Sequence, residues 1–278
     1  KKKTNRSIKI SKINTDIKKS LSKFKKLKEI KGLHKYHIEK NQLDQFLKKI
    51  FIYDCGHNLI RIGDSFDGGY LVPDILKKVK YCFSAGVGMN TSFEKNLKKM
   101  NIKCFLADGT IDYHPEGFDF IKKNINTYCD EKNITLHNWI DLKISDDLDN
   151  NLMLKMDIEG SEISAILNIQ DEKLKHINIL VIEFHQFANL GNSFGLDTLN
   201  EVFDKILRHF AVCHIHPNNY GNIKNIYGIK MPNYMEFTFV NNNYVKYKKK
   251  NLKNYPLELD KKNFSEKKDI LLPKELYE

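Results

Sequence analysis

The segment LMLKMDIEGSEISAIL, residues 152–167, turns from apolar to acidic within a few positions. Residues 151–157 have the makings of a buried strand, whereas Asp157, Glu159 and Glu162 cannot stay unpaired in an apolar interior. A strand that ends in carboxylates belongs with its end at the mouth of a sheet. Six further short apolar runs share this texture, at residues 80–86, 102–108, 134–141, 178–185, 210–216 and 234–241. Residues 91–100, 117–131, 162–167 and 196–210 between them read as helices. The alternation predicts an α/β fold with a doubly wound, seven-stranded, mostly parallel sheet whose final strand runs antiparallel.

Three segments follow from composition. Residues 1–50 carry Ile17, Leu21, Phe24 and Leu27 at helical spacing among lysines, and read as a basic helical appendage. Residues 51–245 hold the α/β domain, and residues 246–278 form a Lys-rich, Pro-punctuated tail expected to pack loosely or serve a contact. The 46 Lys and Arg against 35 Asp and Glu leave a formal charge of +11. Because the lysines crowd the two ends, solvated helix faces explain the excess better than a nucleic-acid site, with steering of an anionic ligand as the alternative. No stretch is long and apolar enough to span a membrane, and the basic start leads into no signal core, so a cytoplasmic location is expected. The five cysteines are widely spaced without a CxxC pair and read as free buried thiols.

In an open α/β sheet, ligands bind beyond the carboxyl ends of the strands. The run ending SAGVGMNTSFE places Gly86 and Gly88 in a tight turn before a helix, where backbone can approach a ligand. A dinucleotide turn would want a third small residue where Thr91 stands, which disfavours a nicotinamide-dependent reductase. About twenty residues on, Asp108 ends the next run and can accept the hydroxyls of a ribose. A ribose-containing cofactor without an essential pyrophosphate fits best, and S-adenosylmethionine is such a molecule. The run 134–141, read as the third strand, would offer Ile140 as an apolar slot and Asp141 as an acceptor for adenine.

Chemistry should gather over the remaining strand ends. Asp157 and Glu159 project from the fourth, Glu183 and His185 share a face of the fifth, and His214 and His216 share a face of the sixth, followed by Asn218 and Asn219. Glu162 reads as an acid at a helix N-terminus. These acids and imidazoles suit either a general base with an orienting partner, His185 first, or a divalent-metal site, Mg²⁺ on Asp157, Glu183 and His185. His214, His216, Asn218 and Asn219 are assigned to substrate.

The stretch Lys155, Met156, Asp157, Ile158, Glu159, Gly160, Ser161, Glu162 resembles the signature of the FkbM-like methyltransferases, and RIGDSFDGGYLV with FSAGVGMNTSFE is similar to the related methyltransferase-like 24 group. The resemblance runs from about Arg61 to Val240. It implies a class I S-adenosylmethionine fold and O-methylation of a sugar or other small hydroxylated metabolite. A nucleotide-activated sugar of surface-polysaccharide (capsule) synthesis is the expected substrate. It also implies that Gly86 and Gly88 hold the cofactor turn, Asp108 the ribose, and Asp157 and Glu159 the reacting centre, with Asp67, Gly68 and Gly69 in a loop over the site. Ser84 stands where many class I enzymes carry an acid toward the cofactor. The alternatives are a methyltransferase of another metabolite or of nucleic acid, against which the missing [DN]-P-P turn counts, and a non-catalytic interaction module of the same fold. A homo-oligomer is compatible with these readings.

Overall fold

A computed structural model describes residues 38–144, 151–250 and 253–278. Its centre is a seven-stranded sheet of β1 (Tyr81–Ala85), β2 (Lys103–Ala107), β3 (Asp119–Ile121), β4 (Leu152–Met156), β5 (Ile177–Phe184), β6 (Phe210–Pro217) and β7 (Met235–Asn241). In space they run β3-β2-β1-β4-β5-β7-β6, all parallel except β7, which is antiparallel to both neighbours. Every residue of β4, β5, β6 and β7 is buried. That is why these strands read as continuous apolar runs rather than alternating ones. The Rossmann-like α/β fold read from the sequence is the one the chain adopts.

Helices α1 (Lys40–Lys49), α2 (Ser92–Lys99), α3 (Leu136–Ile144), α4 (Glu162–Asn168) and α5 (Ser193–Leu207) flank the sheet. In α5 the Asn192 side chain caps the helix by accepting from the Gly195 amide at 2.8 Å. Its buried Leu196, Leu199, Val202, Phe203 and Ile206 recur at intervals of three and four. Phe203 meets Phe46 of α1 edge-on at 5.6 Å and stacks into a cluster with Phe184, Phe187 and Phe237. Thus α1, drawn into the appendage on sequence, packs on the sheet domain; the helix predicted around Ile17 to Leu27 lies outside the described residues.

Two elements differ from the sequence reading. Residues 134–141 are not the third strand, because Leu136, Trp139, Ile140 and Ile144 are buried at helical spacing and form the inner face of α3. Trp139 stands edge-on to Phe83 of β1 with centroids 4.9 Å apart. The edge position falls instead to β3, inside the stretch 117–131 expected to be helical. An antiparallel hairpin of Ile223–Ile226 and Ile229–Pro232 is also inserted between β6 and β7. The expectation of five buried thiols holds for Cys55, Cys82, Cys104 and Cys213, whereas Cys129 is exposed.

A second hairpin, Leu59–Ile62 with Tyr70–Pro73, precedes the sheet and carries the Asp67 loop at its tip. Thr238 Oγ1 of β7 donates to Leu71 O at 2.7 Å, anchoring that hairpin. The last segment is not loosely attached: Asn263, Leu272, Leu276 and Tyr277 are buried, and Ile52 N donates to Leu276 O at 2.9 Å. Among the described residues no helix is long and apolar enough to cross a membrane.

The tightest junction in the sheet is at Gly86, where a Cβ would lie 1.7 Å from the carbonyl oxygen of Asp157 and φ is +72°. Gly88 has φ +50° but open space around it. Gly86→Ala is therefore expected to lower the unfolding free energy by about 4 kcal/mol or more. Gly88→Ala should cost only roughly 1–2 kcal/mol, the penalty of a left-handed residue with a side chain. Urea unfolding of the two variants side by side checks the contrast.

Candidate active site

Two adjoining cavities open where the strand order reverses between β1 and β4, the position an open α/β sheet reserves for ligands. The first, of about 510 Å³, is lined by Gly86, Gly88 and Met89 after β1, Asp108 to Thr110 after β2, Lys123 to Asn126 after β3, and Lys155 to Glu159 around the end of β4. The second, about 310 Å³, is lined by Glu183, His185, Asn218, Tyr220, Tyr234, Asn263 and Phe264. Asp67, Asp157 and Glu159 border both.

The wall between them is the end of β4. Glu159 and Gly160 both have positive φ, at 55° and 104°, so the backbone turns sharply. Glu162, almost fully buried at the start of α4, closes this turn: its Oε1 accepts from Ile158 N at 3.0 Å and Gly160 N at 3.1 Å. The same oxygen lies 3.1 Å from His185 Nδ1. An imidazole whose Nδ1 faces a carboxylate carries its proton there, which leaves Nε2 as the free nitrogen. Nε2 faces Glu159 at 3.5 Å, Asp157 at 3.8 Å and Glu183 at 3.9 Å, and the ring packs on Tyr234 at 4.7 Å.

Charge is concentrated here. Burial favours the neutral His185 ring, but the hydrogen bond and charge of Glu162, with Asp157 and Glu159, outweigh it and hold its pKa above the ordinary value. Burial raises the Asp157 carboxyl despite Lys155 and His185 nearby. Burial, followed by the charges of Asp157 and Glu236, drives Glu183 well above the carboxylate range. Glu236, on β7, is pushed up to about 8 by burial, against a hydrogen bond from Asn263.

On the first cavity's side, Lys155 is buried and its Nζ donates to Gly86 O at 2.6 Å, joining β4 to the glycine turn. Asp108 Oδ2 accepts from Val87 N at 3.1 Å and Gly88 N at 3.0 Å, while Oδ1 accepts from Thr110 N at 2.8 Å and Thr110 Oγ1 at 2.6 Å. Its acceptor directions are thus already engaged by the turn it stabilises.

Several residues assigned from sequence stand elsewhere. Ser84 is fully buried and its hydroxyl donates to the buried Glu94 carboxylate of α2, which stabilises the core rather than facing a cavity. Gly69 lines neither cavity; it fits a hairpin turn where a Cβ would strike Asp64 O at 2.0 Å. Gly68 does line the first cavity, and Asn90 Nδ2 ties the adjacent Asp67 carbonyl at 3.0 Å. Ile140 is sealed in the core as part of α3, and Asp141 pairs with Lys173, so neither reaches the cavity. Asn124, Ile125 and Asn126 occupy that side instead. His214 and His216 turn to the buried Asp260 at 3.0 and 3.6 Å, and burial lowers the His216 pKa. Asn219 clamps the last segment, donating to Phe264 O and accepting from Phe264 N, both at 2.8 Å. The expected metal set also divides: Asp157, Glu159 and His185 form one group, and Glu183 joins Asp67 and Glu236 in another.

Sequence reasoning gave Lys155 no role and Glu162 only a helix-end role, although both stand in the signature stretch, two before Asp157 and five after. Glu236 was a lone acid inside an apolar run, a recognisable signal. Asn263 gave none, because only the return of the last segment brings it to the cavity.

A Rossmann-like sheet with paired cavities at its switch point, one glycine-lined and the other bearing acids and an imidazole, defines a methyltransferase of the α/β class when joined to the family comparison. The model of the methyltransferase FkbM domain matches residues 72–222, more than half of the chain, and the chain belongs to that family. No curated protein matches it.

Burial pushes the Asp108 carboxyl up, but the bonds from Thr110, Gly88 and Val87 prevail and its pKa lies below the usual value. A lowered folded pKa contributes stability above the unfolded value of about 3.9 and loses it as pH falls through the folded one. Melting curves between about pH 5 and pH 2 should show this loss in the parent, and a shallower acid slope in Asp108→Asn.

Proposed function

We propose that the chain transfers a methyl group from S-adenosylmethionine to a hydroxyl of a sugar-like acceptor, with the cofactor in the first cavity and the acceptor in the second. The observation that carries this reading is His185. Its Nδ1 is held by Glu162 and its Nε2 faces the boundary between the cavities.

The first cavity suits the cofactor: its size lies within the range of small-molecule sites, the Gly86–Gly88 turn leaves backbone open to it, and Asn124 and Asn126 offer amides on the far side. A ribose there would share Asp108 by exchanging with the Thr110 hydroxyl. S-adenosylmethionine supplies a methyl group on a cationic sulfur, and the carboxylates of Asp157 and Glu159 beside the boundary favour that charge.

The acceptor oxygen loses its proton to His185 Nε2 as its bond to the methyl carbon forms and the sulfur–carbon bond breaks. Asp157 and Glu159 stabilise the imidazolium that results, and solvent later removes the proton. Glu162 is a positioning residue that fixes the tautomer. Tyr220, Tyr234 and Phe264 give the second cavity aromatic faces, and Asn218 with the acids gives it acceptors, the pairing a polyhydroxylated ring requires. Among the described residues no lysine or arginine lines this cavity; Lys267 lies at its rim, 4.0 Å from the Tyr220 ring centroid. Any phosphate of a nucleotide-activated sugar would sit at that rim and not on the acid floor.

Calorimetry with S-adenosylhomocysteine is the deciding experiment: micromolar binding supports the reading, and absence of binding removes it. His185→Ala should leave that affinity nearly unchanged and cut turnover by about 10²–10⁴-fold. Glu162→Gln keeps an oxygen for the Ile158 and Gly160 amides while removing the charge. It should move the acid limb of the pH–rate profile downward, since the parent's base titrates above the ordinary histidine value. An unmoved limb in a folded Glu162→Gln variant would assign the base elsewhere.

A further inference from the structure

The second cavity contains a group of oxygens that the proposed proton transfer to His185 does not use. Ligand atoms of Asp67, Glu183 and Glu236 lie within 4.8 Å of one another, and both glutamates are more than nine-tenths buried. They come from three elements, the hairpin loop, β5 and β7, which are brought together only by the fold. Arg61 of the same hairpin, whose charge acts on Glu236, directs Nε to Asp64 O at 2.7 Å and Nη2 to Phe66 O at 3.0 Å and so donates to none of the three carboxylates through these atoms.

Asn263 is the second observation. It is 6% exposed and lines the cavity, and its Nδ2 lies 2.5 Å from Glu236 Oε1 and 3.2 Å from Asp67 Oδ1. Its Oδ1 is buried with no hydrogen-bond partner. The oxygen and nitrogen of an asparagine amide exchange places by a half-turn. That turn would bring the unpartnered oxygen to the position now held by Nδ2, among the three carboxylates. Neighbouring oxygens in an octahedral shell with bonds of 2.0–2.1 Å stand about 3 Å apart, so the Nδ2 distances are of the right size.

We propose that Asp67, Glu183, Glu236 and Asn263 form a site for a hard divalent cation of the Mg²⁺ or Mn²⁺ type. The all-oxygen donor set excludes the softer, nitrogen- and sulfur-seeking metals. Asp157, Glu159 and His185 are the weaker candidate, because Glu159 is exposed and the imidazole Nδ1 is committed to Glu162. Three of the four proposed ligands, Asp67, Glu236 and Asn263, fall outside the region matched by the family model. The site is therefore a property of this chain's flanking segments joined to its core. Beside the acceptor cavity, such an ion would fix a pair of hydroxyls without being needed for cofactor binding.

The test is titration of the intact chain with MnCl₂ alone, read by loss of the free-ion paramagnetic resonance signal, with MgCl₂ as competitor. One Mn²⁺ per chain is expected, weakened about tenfold or more in both Asp67→Asn and Glu236→Gln, and unaffected in His185→Ala. Melting curves and S-adenosylhomocysteine titration accompany each variant, and the exposed Asp67 supplies a change that folding tolerates should Glu236→Gln not fold. Absence of Mn²⁺ binding overturns the proposal. So does binding that survives both ligand changes, or that His185→Ala or Glu159→Gln removes. Because the ion is titrated without cofactor or acceptor, its failure is separable from failure of the methyltransferase reading.

Discussion

Among the described glycines the one with least room for a side chain is Gly86, packed against the carbonyl of Asp157, and this contact sets the spacing of the sheet mouth. The Gly86 amide donates to Ala107 O at 2.9 Å and the Asp157 amide to Ala85 O at 3.0 Å, so three strand ends are stitched in sequence β2, β1, β4. Lys155 Nζ then closes onto the Gly86 carbonyl. With a side chain at residue 86 the two loops would have to part. The glycine turn would lose its relation to Asp108, and the acids of β4 would lose theirs to His185. The first and second cavities are aligned by one backbone contact that has no room for a carbon atom.

Electrostatics at this mouth run opposite to the chain as a whole. The protein is formally +11, yet the second cavity is walled by acids and, among the described residues, its lining holds no lysine or arginine and one imidazole. The lysines near the centre are committed: Lys155 to Gly86 and Lys267 to Tyr220 O at 3.1 Å. A field that is positive at long range and negative in the pocket attracts anions to the surface and cations or hydroxyl donors to the interior.

The sheet was legible because a strand buried on both faces needs a mostly apolar run, and β1, β2, β4, β5, β6 and β7 each have one. The edge strand β3 was not, since Asp119, Phe120 and Ile121 sit half out of the core with mixed polarity. Residues 134–141 misled for the opposite reason: apolar enough for a strand, they carry their buried residues at three- and four-residue spacing. For the site, strand-end position found Asp157, Glu159, Glu183 and His185 but could not give direction. His214 and His216 share the alternation of Glu183 and His185 along their strand, yet meet Asp260, a residue 44 positions beyond His216. Ser84 was read as a missing acid. Its hydroxyl donates instead to Glu94 of α2, which is buried and lines neither cavity.

Asn219 pairs with Phe264 through two hydrogen bonds at 2.8 Å, holding the last segment against the second cavity so that Asn263 and Phe264 become its wall. The region common to the family ends at residue 222, before β7 and before this wall. In this chain the wall of the second cavity is completed by residues that lie beyond the span matched by the family model.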